Sequence, residues 1–228
     1  MDSLNTVIIT AAGHGKRMGS QVPKQFLPIR GLPVLMHTIK RFYDFDNQIE
    51  IILTLPFDWV KYWDELCEKY SFQIKHRVVT GGEKRFHSVK NAINHATGDL
   101  IAIHDGVRPL VTIETITRCF ESAQILKAAV PAIQPNAGLR MKTEDGSQKV
   151  NRDSFVCTQT PQVFQRGILI RAYKQEYDPS YTDDATVVEN LGVAIHVVDG
   201  DEDNIQITTK KDMVFAEEVL EEWENDNL

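Results

Sequence analysis

The sequence predicts an α/β fold, a Rossmann-like, mostly parallel sheet flanked by helices, with a protruding β-hairpin arm. Three observations carry this: short β-branched runs alternate with helical patterns, polar motifs recur where those runs end, and one polar segment breaks the alternation. Strands are expected over 6–10, 50–55, 74–80, 100–104, 128–133 and 194–198. Between them, Leu35, Ile39 and Phe42 recur at helical spacing after Pro33, and Pro56 opens a helix carrying Val60, Trp63 and Leu66. Further helices begin near Lys84 and Ile113. A closing helix places Met213, Ala216, Leu220 and Trp223 on one stripe, with Thr209 as its N-cap.

From Pro135 to Phe155 the pattern changes to two polar strand-like arms around Glu144-Asp-Gly146. Such a hairpin buries little of itself. Residues 135–157 are therefore expected to act as a dimerisation arm on a single domain spanning 1–228, giving a homodimer.

The chain has 228 residues and a net charge of −7, enough for one sizeable core and unlike a general nucleic-acid surface. Its three cysteines, Cys67, Cys119 and Cys157, lack metal-site or disulfide spacing and suit a reducing compartment. No apolar run is long enough to span a membrane, and no basic and apolar leader precedes the first strand. The expectation is a cytoplasmic protein without membrane or nucleic-acid partners.

Against this acidic background, residues 3–43 hold six of the 25 Lys and Arg and none of the 32 Asp and Glu. This basic island contains Thr10-Ala-Ala-Gly-His-Gly-Lys-Arg-Met-Gly19, directly after the run Val7-Ile8-Ile9, with Lys24 five residues on. Glycines let backbone amides approach an anion, and Lys16, Arg17 and Lys24 add positive charge. The loop is neither a P-loop, since Arg17 stands where a hydroxyl belongs, nor a dinucleotide fingerprint, since Gly19 comes one place late. It reads as a third kind of phosphate cradle.

Other motifs also follow strands, where the ligand crevice of an open parallel sheet lies. Thr80-Gly-Gly-Glu-Lys-Arg-Phe-His-Ser88 offers amides and a hydroxyl to a flat heterocycle. Ile103-His-Asp-Gly-Val-Arg-Pro109 delivers an Asp suited to a divalent cation or a hydroxyl and an Arg suited to phosphate, while His104 reads as a packed or orienting residue. Downstream, Thr160-Pro161 reads as a helix N-cap with a first-turn proline. Thr182-Asp-Asp184 reads as a second cap with acids in the first turn, also able to face a polyol.

With these motifs in order, together with Pro23-Lys-Gln-Phe26, Gln159-Thr-Pro-Gln-Val-Phe164 and Asn204-Ile-x-Ile-Thr208, the whole chain resembles the 2-C-methyl-D-erythritol 4-phosphate cytidylyltransferases. The ribitol 5-phosphate cytidylyltransferases are similar in most of the same motifs. The resemblance implies that the phosphate of a polyol attacks the α-phosphorus of CTP, giving a CDP-linked polyol and pyrophosphate with the help of Mg²⁺. It implies Arg17 and Lys24 as catalytic residues. A nucleotide site would comprise Ala11, Ala12, Gly13, Gly15, Lys16, Gly82, Glu83, Arg85, Ser88, Asp105 and Gly106. A polyol phosphate site would comprise Asp105, Arg108, Thr182, Asp183, Gln206 and, from a partner's hairpin, Arg152. Asp105 is the implied protein contact of a metal held mainly by the CTP phosphates. Gln206 departs from the lysine common at its position, which leaves the ribitol substrate as an alternative, with a non-catalytic nucleotide-binding protein as a further one.

Overall fold

The computed structural model describes residues 4–13 and 22–226. In chain order the elements are β1 (Asn5–Thr10), β2 (Pro28–Ile29), β3 (Leu32–Pro33), α1 (Val34–Phe45), β4 (Glu50–Leu55), α2 (Val60–Lys69), β5 (Arg77–Thr80), α3 (Arg85–Ile93), β6 (Leu100–Asp105), α4 (Ile113–Leu126) and β7 (Ala128–Ile133). There follow β8 (Arg140–Thr143), β9 (Gly146–Lys149), β10 (Cys157–Thr158), β11 (Gln162–Gln165), α5 (Arg166–Ala172), α6 (Asp184–Glu189), β12 (His196–Asp199) and α7 (Lys210–Asp226).

Across the main sheet the order is β5, β4, β1, β6, β11, β7 and β12, with β10 beside the end of β7. β1 pairs in parallel with both β4 and β6, and β12 in parallel with β7. Only β10 and β11 run against their neighbours. The chain moves outward in one direction from β1 to β4 and β5, then returns to place β6 on the other side of β1. The sheet therefore reverses its winding between β1 and β6, and a crevice opens at their carboxyl ends.

Strand alternation distributes the core. Val7 and Ile9 of β1 join Leu35, Phe42, Trp63 and Phe120 on one face, whereas Ile8 joins Phe86, Phe164 and Leu169 on the other. α7 seals a third cluster with Ile29, Leu110 and Ile207. Its start is a reciprocal cap: Asp212 N–H donates to Thr209 Oγ1 at 3.2 Å, and the Asp212 carboxylate accepts from Thr208 and Thr209 N–H at 2.6 and 2.7 Å.

Two expectations need correction. Thr160-Pro161 opens no helix. The peptide is cis, strand β11 begins at the next residue, and the Thr160 hydroxyl is occupied by β6. The strand expected over 74–80 begins only at Arg77, where pairing with β4 starts; residues 74–76 lie before that pairing, with His76 turned to Trp63. The hairpin forms as expected from β8 and β9, and every residue of both strands is exposed.

The His76 contact has a pH signature. Trp63 Nε1 can only donate, at 2.9 Å, so His76 Nε2 is the bare acceptor and Nδ1 donates to the Ile74 carbonyl at 2.8 Å. Burial pushes His76 below the ordinary histidine range, and burial does the same to His37. A neutral ring favoured in the native state gives stability that is full above the unfolded pKa of about 6.5 and is lost as pH falls. Urea unfolding followed by tryptophan fluorescence should show a midpoint that falls from pH 7.5 to pH 5. A smaller fall is expected in His76→Gln; an unchanged slope in that variant would contradict the assignment.

Candidate active site

A cleft of about 640 Å³ lies at the crevice, and a second cavity of about 240 Å³ adjoins it, with Arg85, Asp105 and Gln206 lining both. The wall of the larger cleft after β1 is Ala11, Ala12 and Gly13. Buried Gln25 holds it by donating to the Ala11 carbonyl at 2.8 Å and the Gly13 carbonyl at 3.0 Å. Lys24, on a short 3₁₀ turn, faces the same cleft and donates to the Ile207 carbonyl at 2.6 Å. Gly15, Lys16 and Arg17 lie outside the described residues.

The facing wall is the loop between β5 and α3. A Cβ on Gly81 would run into Ala12, so that glycine lets the two walls approach, while one on Gly82 would run into His87 of α3, so that glycine lets the loop fold tightly onto its own helix. Gly82 N–H donates to Ser88 Oγ at 3.0 Å, and Ser88 Oγ–H donates to the Lys84 carbonyl at 3.2 Å. Ser88 thus lines the cleft while pinning its loop. Glu83 also lines the cleft and is exposed. Gly106 is buried against Ala11 and Leu35 and is not among the lining residues.

Between the cavities stands Asp105, at the carboxyl end of β6. Arg108 Nε donates to its Oδ2 at 3.1 Å, Gln206 Nε2 donates to the same oxygen at 3.1 Å, and Arg85 Nη2 is 3.7 Å from Oδ1. Burial opposes ionisation, but the Arg85 and Arg108 guanidinium groups outweigh it and hold the carboxyl below the usual range. Arg108 also donates through Nη1 to the Asn204 carbonyl at 2.7 Å.

Arg85 links this centre to α6. Its Nη1 lies 2.6 Å from Oδ2 of Asp184, whose side chain is fully enclosed, and Tyr173 OH donates to the other Asp184 oxygen at 2.5 Å. Burial raises the Asp184 carboxyl above its ordinary range despite Arg85. The neighbouring Asp183 caps α6 by accepting from Thr186 N–H at 2.9 Å, and Gln162 Nε2 donates to its other oxygen at 2.9 Å. Thr182 and Asp183 line the smaller cavity with Arg108, Thr160 and Gln162.

The structure therefore brings together Ala11, Ala12, Gly13, Lys24, Gly82, Glu83, Arg85, Ser88 and Asp105 around the larger cleft. It brings Asp105, Arg108, Thr182, Asp183 and Gln206 around the smaller. Arg152 lies exposed at the base of the hairpin and lines neither. Sequence reasoning assigned no role to Gln25, Gln162 or Tyr173 and read Asp184 only as an acid in a first helical turn; each acts through a partner outside its own motif. Among the described residues no three His, Cys, Asp or Glu converge as a metal site.

The family of 2-C-methyl-D-erythritol 4-phosphate cytidylyltransferases matches residues 5–222 of the chain. The enzyme of that name from Bacteroides fragilis is 50% identical over 216 residues, covering 94% of this chain and 99% of the relative. One from Clostridium botulinum is 35% identical over 225 residues, covering 96% and 98%. Among solved structures, 4-diphosphocytidyl-2C-methyl-D-erythritol synthase from Anaerococcus prevotii superposes with a TM-score of 0.82 at 28% identity, covering 96% of each chain. The Thermus thermophilus cytidylyltransferase superposes at 0.76 and 28% identity, covering 95% and 98%.

The Arg85–Asp184 pair generates a stability prediction. Arg85→Ala leaves an enclosed carboxylate without its cation, which costs about 3–5 kcal/mol. Thermal unfolding should fall by on the order of 6–20 °C. Adding Asp184→Asn should recover part of the loss; a double variant as unstable as the sum of the singles would show that the two groups do not act as a pair.

Proposed function

Because the chain belongs to the 2-C-methyl-D-erythritol 4-phosphate cytidylyltransferase family, we propose that it transfers the cytidylyl group of CTP to that polyol phosphate, releasing pyrophosphate, in isoprenoid biosynthesis. The observation that carries this reading is the pair of adjoining cavities joined at Asp105: one large and walled by glycine-rich loops, the other small and lined by hydroxyl, carboxylate and guanidinium groups.

The chemistry asks little of a general base. A phosphate monoester with a second pKa near 6 is already largely dianionic at neutral pH, so the nucleophile needs orientation, not deprotonation. The enzyme must bring two anions together in line and offset the charge that builds on the α-phosphate. Lys24 at the cleft, with Arg17, is assigned that task. Gly82, Glu83 and the Ala11–Ala12 backbone are assigned to the base, with Ser88 holding their loop, and Lys16 with the Gly13 and Gly15 amides to the outer phosphates. In the smaller cavity Arg108 is assigned to the polyol phosphate, and Thr182 and Asp183 to its hydroxyls. Gln206 retains hydrogen bonding toward phosphate but not the Coulombic attraction of a lysine, and its amide is directed to Asp105. A divalent cation, Mg²⁺ in this reading, would be held by the triphosphate with Asp105 as its protein contact, and when bound would offset the triphosphate's negative charge.

The same reading makes residues 135–157 a dimerisation arm that carries Arg152 to a partner's smaller cavity. The exposed strands of the hairpin support it, as do the exposed Met141, Phe155 and Val156. A cytoplasmic setting, where CTP is supplied, completes it.

Pyrophosphate release from CTP and methylerythritol phosphate tests the assignment; turnover of ribitol phosphate alone would overturn it. Lys24→Ala should lower kcat by about 10²–10³-fold with a much smaller rise in the KM for CTP. Equal loss in both would mean that Lys24 only docks the nucleotide. Light scattering of the purified chain should give a dimer mass, and a chain lacking 138–149 a monomer; a monomeric full-length chain would remove the arm's role.

A further inference from the structure

We propose that His104 is a positioning residue for the polyol phosphate, setting the wall of the smaller cavity through the Thr160 hydroxyl and the Arg108 carbonyl. The inference rests on assigning that cavity to the polyol phosphate. Its basis is a single order of protons. The Arg108 carbonyl can only accept, so His104 Nε2, 3.0 Å away, carries a proton. In the neutral ring Nδ1 is then an acceptor, and Thr160 Oγ1, 3.0 Å away, donates to it. The same oxygen accepts the Asp105 N–H at 3.1 Å.

The relay therefore runs from Asp105 N–H through Thr160 and the imidazole to the Arg108 carbonyl. It clasps the four-residue turn 105–108 at both ends, over its own Arg108 N–H to Asp105 carbonyl bond of 3.0 Å. That turn carries both the carboxylate and the guanidinium of the cavity. Asn204 braces the outside, donating through Nδ2 to the Thr160 carbonyl at 2.9 Å while its own carbonyl receives Arg108 Nη1.

His104 is wholly buried and packs edge-on to Phe42 with ring centroids 4.9 Å apart, so it touches no ligand. Burial pushes its pKa down to about 4, which keeps the proton order intact at neutral pH. A charged ring would direct two donors at carbonyl and hydroxyl, and Thr160 would lose the acceptor for its own proton. Thr160 and Arg108 line the smaller cavity and not the larger, whereas Asp105 lines both, so loosening the relay falls most heavily on the polyol phosphate. Displacements below 1 Å suffice, since misplacement on that scale costs up to about 10²-fold in rate.

The test uses the full-length chain with CTP and methylerythritol phosphate. His104→Gln keeps a donor for the Arg108 carbonyl and loses the acceptor for Thr160; Thr160→Val breaks the same link from the other side. Each should raise the KM for the polyol phosphate about tenfold while the KM for CTP stays within about twofold. The double variant should be no worse than the worse single, and Thr160→Ser should restore wild-type constants. Should His104→Gln fail to fold, the Val and Ser pair at position 160 decides the matter alone. Parallel loss for both substrates, singles that multiply, or a serine variant as impaired as the valine one would overturn the inference. A wild-type chain inactive on methylerythritol phosphate would instead overturn the cavity assignment, and this inference with it.

Discussion

A buried carboxylate at the end of a central strand needs positive partners, and meeting that need at Asp105 organises the crevice. Arg108 comes from the turn after β6, Arg85 from the start of α3 and Gln206 from the segment before α7. None of these segments neighbours another in sequence, so their convergence draws the β5–α3 loop and the chain around 204–208 over the point where the sheet reverses its winding. An Asp at that place without its cations would carry a desolvation cost of several kcal/mol. The walls of both cavities are thus held by the same charge that separates them.

This arrangement also apportions positive charge. Arg85 is balanced by Asp184 and Arg108 by Asp105, so each guanidinium reaches the cavities with part of its charge already offset. Their contribution is geometry: planar groups fixed by carboxylates lose little freedom when a ligand arrives. In the proposed reading, stronger attraction for a polyanion falls to the basic stretch at residues 3–43, which has no acid of its own in sequence, and this lets a chain of net charge −7 hold two anions side by side.

Much of the fold was legible because periodicity is local. β1, β4, β6, β7 and the helices α1 to α4 and α7 follow from apolar spacing and their caps. β11 did not, since four residues that begin and end with glutamine and follow Thr-Pro look like a helix entry, and only the gap between β6 and β7 makes them a strand. The site divides in the same manner. Asp105 and Arg108 stand out as polar residues delivered by an apolar strand, and Thr182 and Asp183 as a helix cap. Asp184 was visible as an acid in a first helical turn, yet its charge answers Arg85, 99 positions away. Gln25 and Tyr173 gave no local sign, because a glutamine holding a loop and a tyrosine satisfying a buried acid differ from others of their kind only by what they meet.

The reversed direction of β11 matters mechanically. In a purely parallel sheet, chain entering a strand arrives at the edge away from the crevice; here the approach to β11 lies at the crevice itself. The hairpin leads to that approach through residues 150–156, which include a 3₁₀ turn over Arg152–Ser154, then β10, only two residues long, and Gln159. Gln159 is moored in turn, donating to the Asp201 carbonyl at 2.6 Å. The exposed tip of the hairpin can therefore change in length without consequence inside, whereas residues 158–162, pinned to β7, Asp201 and β6, form the floor of the smaller cavity, and a change of length there moves that floor directly.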